Sequence, residues 1–326
     1  MVLCAGLGTR LRPLTNLFPK PALPFFDGPL VRYSFALLRG AGVERVVINT
    51  HHLPQVMEQV AAREAERMGL SLAVSHEPVI QGTGGGVREA RRLLGSEPFL
   101  LLNGDAFMSL DLRSLIGAHR SSGAAATMAV VPMPPAEKFA PVEATPGGEV
   151  RRIAGIGDDQ ASAELKPWHF IGAHVIEPSV FDFIPANDEQ DINRTVYLAM
   201  VRAGLPVRVC PVALGAWADL GTPRRYLAAC EEILTGLCDL TPLGGSAPLP
   251  HDALERLRQL RGRRWIHPDA RVGGIVSDWA VVCAGAEVGR NAHLTRAAVL
   301  PGTRVSEFEI IEDAIACGEL RLHASP

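Results

Sequence analysis

The segment Gly6-Leu7-Gly8-Thr9-Arg10 follows a short apolar run at the start of the chain. Gly6, Gly8 and Thr9 let a backbone turn tightly, so its N–H groups can be aimed at phosphate oxygens. Arg10 adds a forked, permanently charged donor matched to phosphate. A second cation comes in Pro19-Lys20-Pro21, where flanking prolines stiffen the chain around one ammonium. Taken alone, Lys20 reads as an ordinary surface lysine. Thr83-Gly84-Gly85-Gly86 is a run without bulk. It either lets a planar ring or a phosphate approach the main chain closely, or is simply a flexible entry to a helix. Asn103-Gly104-Asp105 closes the most hydrophobic stretch of the chain. Asp105 there suits Mg²⁺, which takes few protein carboxylates and fills its shell with phosphate and water. Asp219, in Trp217-Ala218-Asp219-Leu220-Gly221-Thr222-Pro223, is a second acidic candidate, with support of the following turn as its plainer reading.

Strands and helices must hold these residues, and the first half of the chain alternates them. Met1–Ala5, Arg45–Asn49, Leu72–Ser75, Phe99–Asn103 and Ala125–Val131 read as strands. Leu30–Arg39, Pro54–Met68, Gly84–Leu94 and Leu112–Arg120 read as helices. Continuous apolar strands in this order predict an α/β, doubly wound, mainly parallel sheet covered by helices on both faces. Ligands in such sheets bind beyond the carboxyl ends of the strands, which singles out the loops after Cys4, Ser75 and Asn103. Residues 132–167 turn to proline, glycine and short charged turns, an excursion over the acceptor side. His169–Ile176 and Val207–Val212 resume as strands, and Thr222-Pro223 opens a helix with a capping threonine and a first-turn proline, Gly236 lying just past its end.

The texture changes after that helix. We expect a catalytic domain over residues 1–238, a linker with a short basic helix (Asp252–Arg264) over 239–264, and a tail over 265–326. In the tail, Ala286, Ala292 and Ala298 recur every six residues, as do Val299, Val305 and Ile311. That period predicts a short left-handed β-helix, which must lean on the first domain or on another subunit. A homo-oligomer formed through the tail is one outcome. The formal net charge of −3 disfavours nucleic acid as a partner. The six cysteines form no CxxC pair and no zinc-like spacing with histidine, and read as buried free thiols. No apolar run is long enough for a membrane span and no signal peptide is evident, so we expect a cytoplasmic protein without a membrane partner.

Leu3-Cys4-Ala5-Gly6-Leu7-Gly8-Thr9-Arg10-Leu11-Arg12-Pro13-Leu14-Thr15, followed by Pro19-Lys20-Pro21, closely resembles the signature of sugar-1-phosphate nucleotidyltransferases. Gly82–Gly85, Asn103-Gly104-Asp105, Ile192-Asn193-Arg194 and Trp217–Pro223 match further motifs of that family in order, covering residues 1–237 densely. The resemblance implies a Rossmann-like nucleotidyltransferase fold. It also implies an enzyme in which a sugar 1-phosphate attacks the α-phosphorus of a nucleoside triphosphate and pyrophosphate leaves. It assigns catalysis to Arg10, Lys20, Asp105 and Asp219, with Asp105 and Asp219 holding Mg²⁺. Leu3, Ala5, Gly6, Gly8, Thr9, Arg10, Glu77, Thr83, Gly84 and Asn103 would bind the nucleotide. Glu164, Lys166, Gly172 and Asn193 would bind the sugar phosphate.

Two departures fall in the acceptor half. A Glu-Lys-Pro string is displaced to Glu164-Leu165-Lys166-Pro167, and a Tyr-Gly pair is replaced by Phe139-Ala140. The texture is most similar to mannose-1-phosphate guanylyltransferase-type members. The glycine run is similar to uridylyltransferases acting on N-acetyl amino sugar 1-phosphates. Competing readings are a non-catalytic NDP-sugar-binding regulator and a glycosyltransferase. Retention of the four charged residues argues against the first, and the lack of an Asp-x-Asp motif against the second.

Overall fold

A computed structural model gives the fold and describes residues 1–134, 139–157, 164–186, 189–248 and 263–324. The chain divides into two compact units, Met1–Gly6 with Leu37–Gly104 and Leu110–Leu214, and Leu7–Ala36 with Asp105–Ser109 and Gly215–Pro326.

The first unit is built on one sheet. Its strands are β1 (Val2–Leu3), β2 (Arg45–Thr50), β3 (Ser71–His76), β4 (Phe99–Asn103), β5 (Ala126–Pro132), β6 (Lys166–Ile176) and β7 (Val207–Pro211). The order β4–β1–β2–β3 is parallel throughout. Val46, Ile48, Leu101 and Leu102 are wholly buried there, which is why these strands read as unbroken apolar runs. The β6 strand joins antiparallel to both β4 and β5, and β7 runs parallel to β5. Beyond them the expected irregular excursion is ordered. Val142–Ala144, Val150–Ile153 and Ile156–Gly157 extend the sheet antiparallel, a pattern too short and too polar to stand out among the surrounding turns.

Capping chemistry sets the helix ends. Pro54–Met68 has proline in its first turn and ends at Gly69, in the left-handed region with φ 64°. Asp111 caps Leu112–Ser122 by accepting from the Arg113 N–H at 2.9 Å. One expectation needs correcting. The helix expected over Gly84–Leu94 begins at Gly82, so the glycine run is its first turns, and it breaks at Ala90 before a short turn Arg91–Leu94.

The second unit joins the loop after β1 to the C-terminal third of the chain. The helix Pro223–Leu234 starts as expected, with Thr222 Oγ1 accepting from the Arg225 N–H at 3.2 Å. A strand not expected from the sequence, Ala106–Leu110, pairs with Leu214–Asp219. Phe25, Phe26, Tyr33, Phe107 and Tyr226 pack beneath that pair, with Phe25 and Phe107 ring centroids 5.2 Å apart and the Tyr226 hydroxyl donating to the Pro24 carbonyl at 2.7 Å.

In the tail, Arg263–Ile266, Ile275–Val282, His293–Val299 and Ile310–Cys317 form one parallel ladder. Arg271–Val272, Glu287–Val288 and Arg304–Val305 form a second. Trp265, Val281, Ala298 and Ile315 stand in register, and Ala280, Ala286, Ala292 and Ala297 fill the interior. This arrangement is compatible with the expected β-helix. The stack leans on its own unit, with Trp265 against Phe26 at 5.5 Å and the Cys283 thiol donating to the Phe26 carbonyl at 3.2 Å. The expected helix Asp252–Arg264 lies outside the described residues as far as 262, while Arg263 and Arg264 belong to a strand. The cysteines are all free, and all but Cys210 are buried. Among the described residues no helix is long and apolar enough to cross a membrane.

Candidate active site

In the second unit, Gly8 adopts φ 60°, and a Cβ there would stand 2.9 Å from the Thr15 methyl, so this turn requires glycine. The Thr15 hydroxyl closes the turn by donating to the Gly8 carbonyl at 2.9 Å. Thr9–Leu11 then makes a tight turn that buries Leu11 and leaves the Arg10 side chain 64% exposed. Lys20 is the opposite case. It is only 4% exposed, and its ammonium donates to Asp105 Oδ2 at 3.0 Å and to Asp219 Oδ1 at 2.9 Å. Asp105 precedes one of the paired strands and Asp219 ends the other, so the pairing of Ala106–Leu110 with Leu214–Asp219 sets both carboxylates.

The second oxygen of Asp219 accepts from Arg225 and lies 3.8 Å from Arg10. Burial pushes the Asp219 carboxyl up, but Lys20, Arg225 and Arg10 outweigh that and hold it below the ordinary carboxylate range. The sequence reading placed Arg10, Lys20, Asp105 and Asp219 from different stretches, and the fold brings them together. It missed Arg225, which stands on the first turn of the helix, six residues beyond Asp219.

The residues Asp105 and Asp219 fit a divalent cation of the Mg²⁺ type. They are two carboxylates around one cation position, with Asp105 half exposed and able to share its ion with phosphate and water. Among the described residues no group of three or more metal-ligating side chains occurs, so such an ion would depend on its substrate for the remaining ligands.

In the first unit, Asn49 and Glu77 form the buried centre of the candidate nucleotide segment. Asn49 Oδ1 accepts from the Cys4 N–H at 2.7 Å, which ties β2 to the end of β1, between Leu3 and Ala5. Asn49 Nδ2 donates to Glu77 Oε1 at 2.7 Å, and Glu77 Oε2 accepts from the Gln81 N–H at 3.1 Å. Glu77 is 1% exposed with both oxygens engaged, so it shapes the approach to the glycine run from within. Gly86 packs directly on this pair; a Cβ there would lie 2.6 Å from Glu77 Oε1 and 2.7 Å from Asn49 Nδ2.

The glycine run is also tied to the Gln190–Asn193 segment. The Gly84 N–H donates to the Gln190 carbonyl at 2.7 Å, the Gln190 N–H to the Gln81 carbonyl at 2.9 Å, and the Ile192 N–H to Thr83 Oγ1 at 2.9 Å. Asp191 caps the wide turn Ile192–Tyr197 by accepting from the Asn193 and Arg194 N–H groups. Asn193 thus lies on a held turn, and its Oδ1 has no partner among the described residues.

Asn103 and Gly172 meet across β4 and β6. Lys166 does not join them. It sits six residues away on β6, roughly 20 Å at strand spacing, with its ammonium 4.0 Å from the centre of the Trp168 ring. Glu164 precedes it and is exposed. Phe139 stacks on His169 at 4.2 Å. A cavity of about 470 Å³ touching Met1, Arg45, Phe99, His119 and Glu177 is lined by none of the candidate site residues.

The pattern of the nucleotidyl transferase family matches residues 1–236. A mannose-1-phosphate guanylyltransferase of Mycobacterium tuberculosis is 31% identical over 314 residues, covering 96% of this chain and 82% of that protein. A UTP–glucose-1-phosphate uridylyltransferase of Synechocystis is 29% identical over 250 residues, covering 72% of this chain and 63% of its own. Among solved structures, a putative glucose-1-phosphate thymidylyltransferase from Bacillus anthracis in complex with a sucrose superposes with a TM-score of 0.60 at 17% identity, over 71% of this chain and 93% of that one, a likeness of fold. With the glycine-bearing loop after β1, the buried lysine and the two aspartates described, the chain belongs to the nucleotidyl transferase family, as a sugar-1-phosphate nucleotidyltransferase.

Proposed function

We propose that the chain transfers GMP from GTP to mannose 1-phosphate, releasing pyrophosphate and forming GDP-mannose, with residues 1–238 as its catalytic domain. The guanylyl and mannosyl assignments rest on relatives that match nearly the whole chain, the Mycobacterium tuberculosis enzyme among them. The observation that carries the chemistry is the convergence of Lys20 and Arg10 on the Asp105–Asp219 pair.

A sugar 1-phosphate is already an anion, so the attack on the α-phosphorus needs no general base. What the reaction needs is alignment and neutralisation of the charge that gathers on the α-phosphate and on the departing pyrophosphate. Arg10, exposed at the loop, meets the triphosphate, and Lys20 supplies a buried ammonium beside it. The amides of Gly6, Gly8 and Thr9 position the phosphates. Asp105 and Asp219 hold Mg²⁺, which when bound neutralises phosphate charge and orients the α-phosphate. Asn49 and Glu77 fix the Gly82–Gly85 segment for the base, and Asn193, Gly172 and Asn103 serve the acceptor. Assembly of copies through the tail belongs to the same reading.

The test is pyrophosphate release with purified protein across four triphosphates and a panel of sugar 1-phosphates. GTP with mannose 1-phosphate is expected to turn over fastest. No release with any pair from folded protein refutes the catalytic reading. Preference for UTP with an N-acetyl amino sugar 1-phosphate supports the alternative that the glycine run favours.

A further inference from the structure

We propose that Lys20 keeps divalent metal out of the free enzyme and yields its place only when a triphosphate arrives, so that metal and nucleotide load together. This rests on the reading of Asp105 and Asp219 as metal-holding residues. Their nearer oxygens lie 3.0 and 2.9 Å from one ammonium nitrogen, which both of them hold. An ion of the Mg²⁺ type needs its oxygens at about 2.0–2.1 Å, and using both carboxylates would put it in the volume that the ammonium fills. The two cations therefore compete for one place.

The competition favours lysine while the site is empty of nucleotide. Lys20 is 4% exposed, and its backbone is fixed between Pro19 and Pro21 in a tight turn, where the Ala22 N–H donates to the Pro19 carbonyl at 2.8 Å and the Leu23 N–H to the Lys20 carbonyl at 3.1 Å. Only the end of the side chain can swing away. The other oxygen of Asp219 is already engaged by Arg225 and faced by Arg10. A dication approaching the pair thus meets three cations around two carboxylates, at a separation of a few ångströms. A triphosphate reverses this balance. It brings several negative charges and offers oxygens to the Lys20 ammonium, which can leave the carboxylates without losing its own partners.

The experiment is Mn²⁺ binding to the full chain without nucleotide, followed by loss of the free-ion paramagnetic resonance signal. Wild type is expected to bind weakly, and Lys20→Met roughly tenfold or more tightly, since one opposing charge is gone from contact distance. Lys20→Arg, which keeps the charge, is expected to resemble wild type. Adding Asp105→Asn to Lys20→Met should abolish the gained site. Circular dichroism checks that each variant is folded. Equal affinity in wild type and Lys20→Met overturns the proposal. So does tight saturable binding of one Mn²⁺ by wild type alone, a result that needs no variant. Neither outcome depends on turnover, so failure here is distinct from failure of the catalytic reading, which shows as absence of pyrophosphate release.

Discussion

Gly86→Ala tests how tightly the nucleotide segment is built on its buried support. The added methyl carbon would stand 2.6 Å from Glu77 Oε1 and 2.7 Å from Asn49 Nδ2, well inside contact distance, and both groups are held from behind. If they stay, the overpacked helix must shift, at about 1–3 kcal/mol. If their bond opens, a buried polar group loses its partner, at about 1–3 kcal/mol more. Replacing glycine by alanine within Gly82–Glu89 offsets roughly 1 kcal/mol through helix propensity. The net expectation is a loss of about 0–2 kcal/mol if the pair holds and about 1–5 kcal/mol if it opens, read from urea midpoints by circular dichroism, with weaker nucleotide binding by calorimetry in either case. In an Asn49→Ala background much of the clash is relieved, so the two changes should couple by at least about 1 kcal/mol. A Gly86→Ala protein as stable as wild type, with unchanged nucleotide affinity, would show that the Asn49–Glu77 pair does not shape the segment.

Asp105→Asn, which removes a charge and keeps the shape, is expected to lower kcat by roughly 100-fold or more in pyrophosphate release while the melting curve stays close to wild type. Near-normal turnover would remove Asp105 from the chemistry. Arg225→Leu takes away one group that holds Asp219 and is expected to cost about tenfold to 100-fold in kcat/KM; an effect below twofold would make Arg225 a bystander. His174 is buried against Tyr197, whose hydroxyl lies 2.9 Å from Nδ1, and burial lowers its pKa to about 3. Because the folded value lies below the unfolded one of about 6.5, the unfolded chain takes up the proton first. Stability should then fall by up to about 1.4 kcal/mol per pH unit as pH drops below 6.5 toward 3. His174→Asn should flatten that slope between pH 6.5 and 4.5, and an unchanged slope would place the acid sensitivity elsewhere.

How much of this was legible in the sequence follows from the range of the interactions involved. The strands of the parallel core and the helix after Thr222 announce themselves locally, through apolar runs and capping residues. Gly8 is legible for the same reason, since its φ is a property of one residue. Asp105 and Asp219 could be named as acidic candidates, but nothing local says that one lysine binds both; that depends on Ala106–Leu110 pairing with a strand more than a hundred residues on. The Asn49–Glu77 pair and the link from Thr83 to Ile192 were invisible for the same reason. Lys166 shows the limit of matching by motif. The string around it resembles a family pattern, but its displacement by a few positions along β6 carries the ammonium far from Gly172 and onto Trp168.

The charged cluster around Lys20 and the residues around the glycine run fall in different compact units. Arg10, Lys20, Asp105, Asp219 and Arg225 belong to one, and Asn49, Glu77, the glycine run, Gln190 and Asn193 to the other. The relatives show why such a division is economical. Both are similar to this one chain, yet their names differ in base and in sugar. A cluster that meets only phosphates, as proposed for Lys20 and its partners, would be indifferent to both, because the triphosphate and the sugar phosphate present the same groups whatever they carry. Within its own unit the glycine run is tied to Gln190 and Ile192, and within the other the Lys20 ammonium is tied to the two aspartates. On the proposed function, Lys20 and the two aspartates would decide what reaction is run, and the segment held by the hydrogen bonds from Gln81 to Ile192 on which molecules.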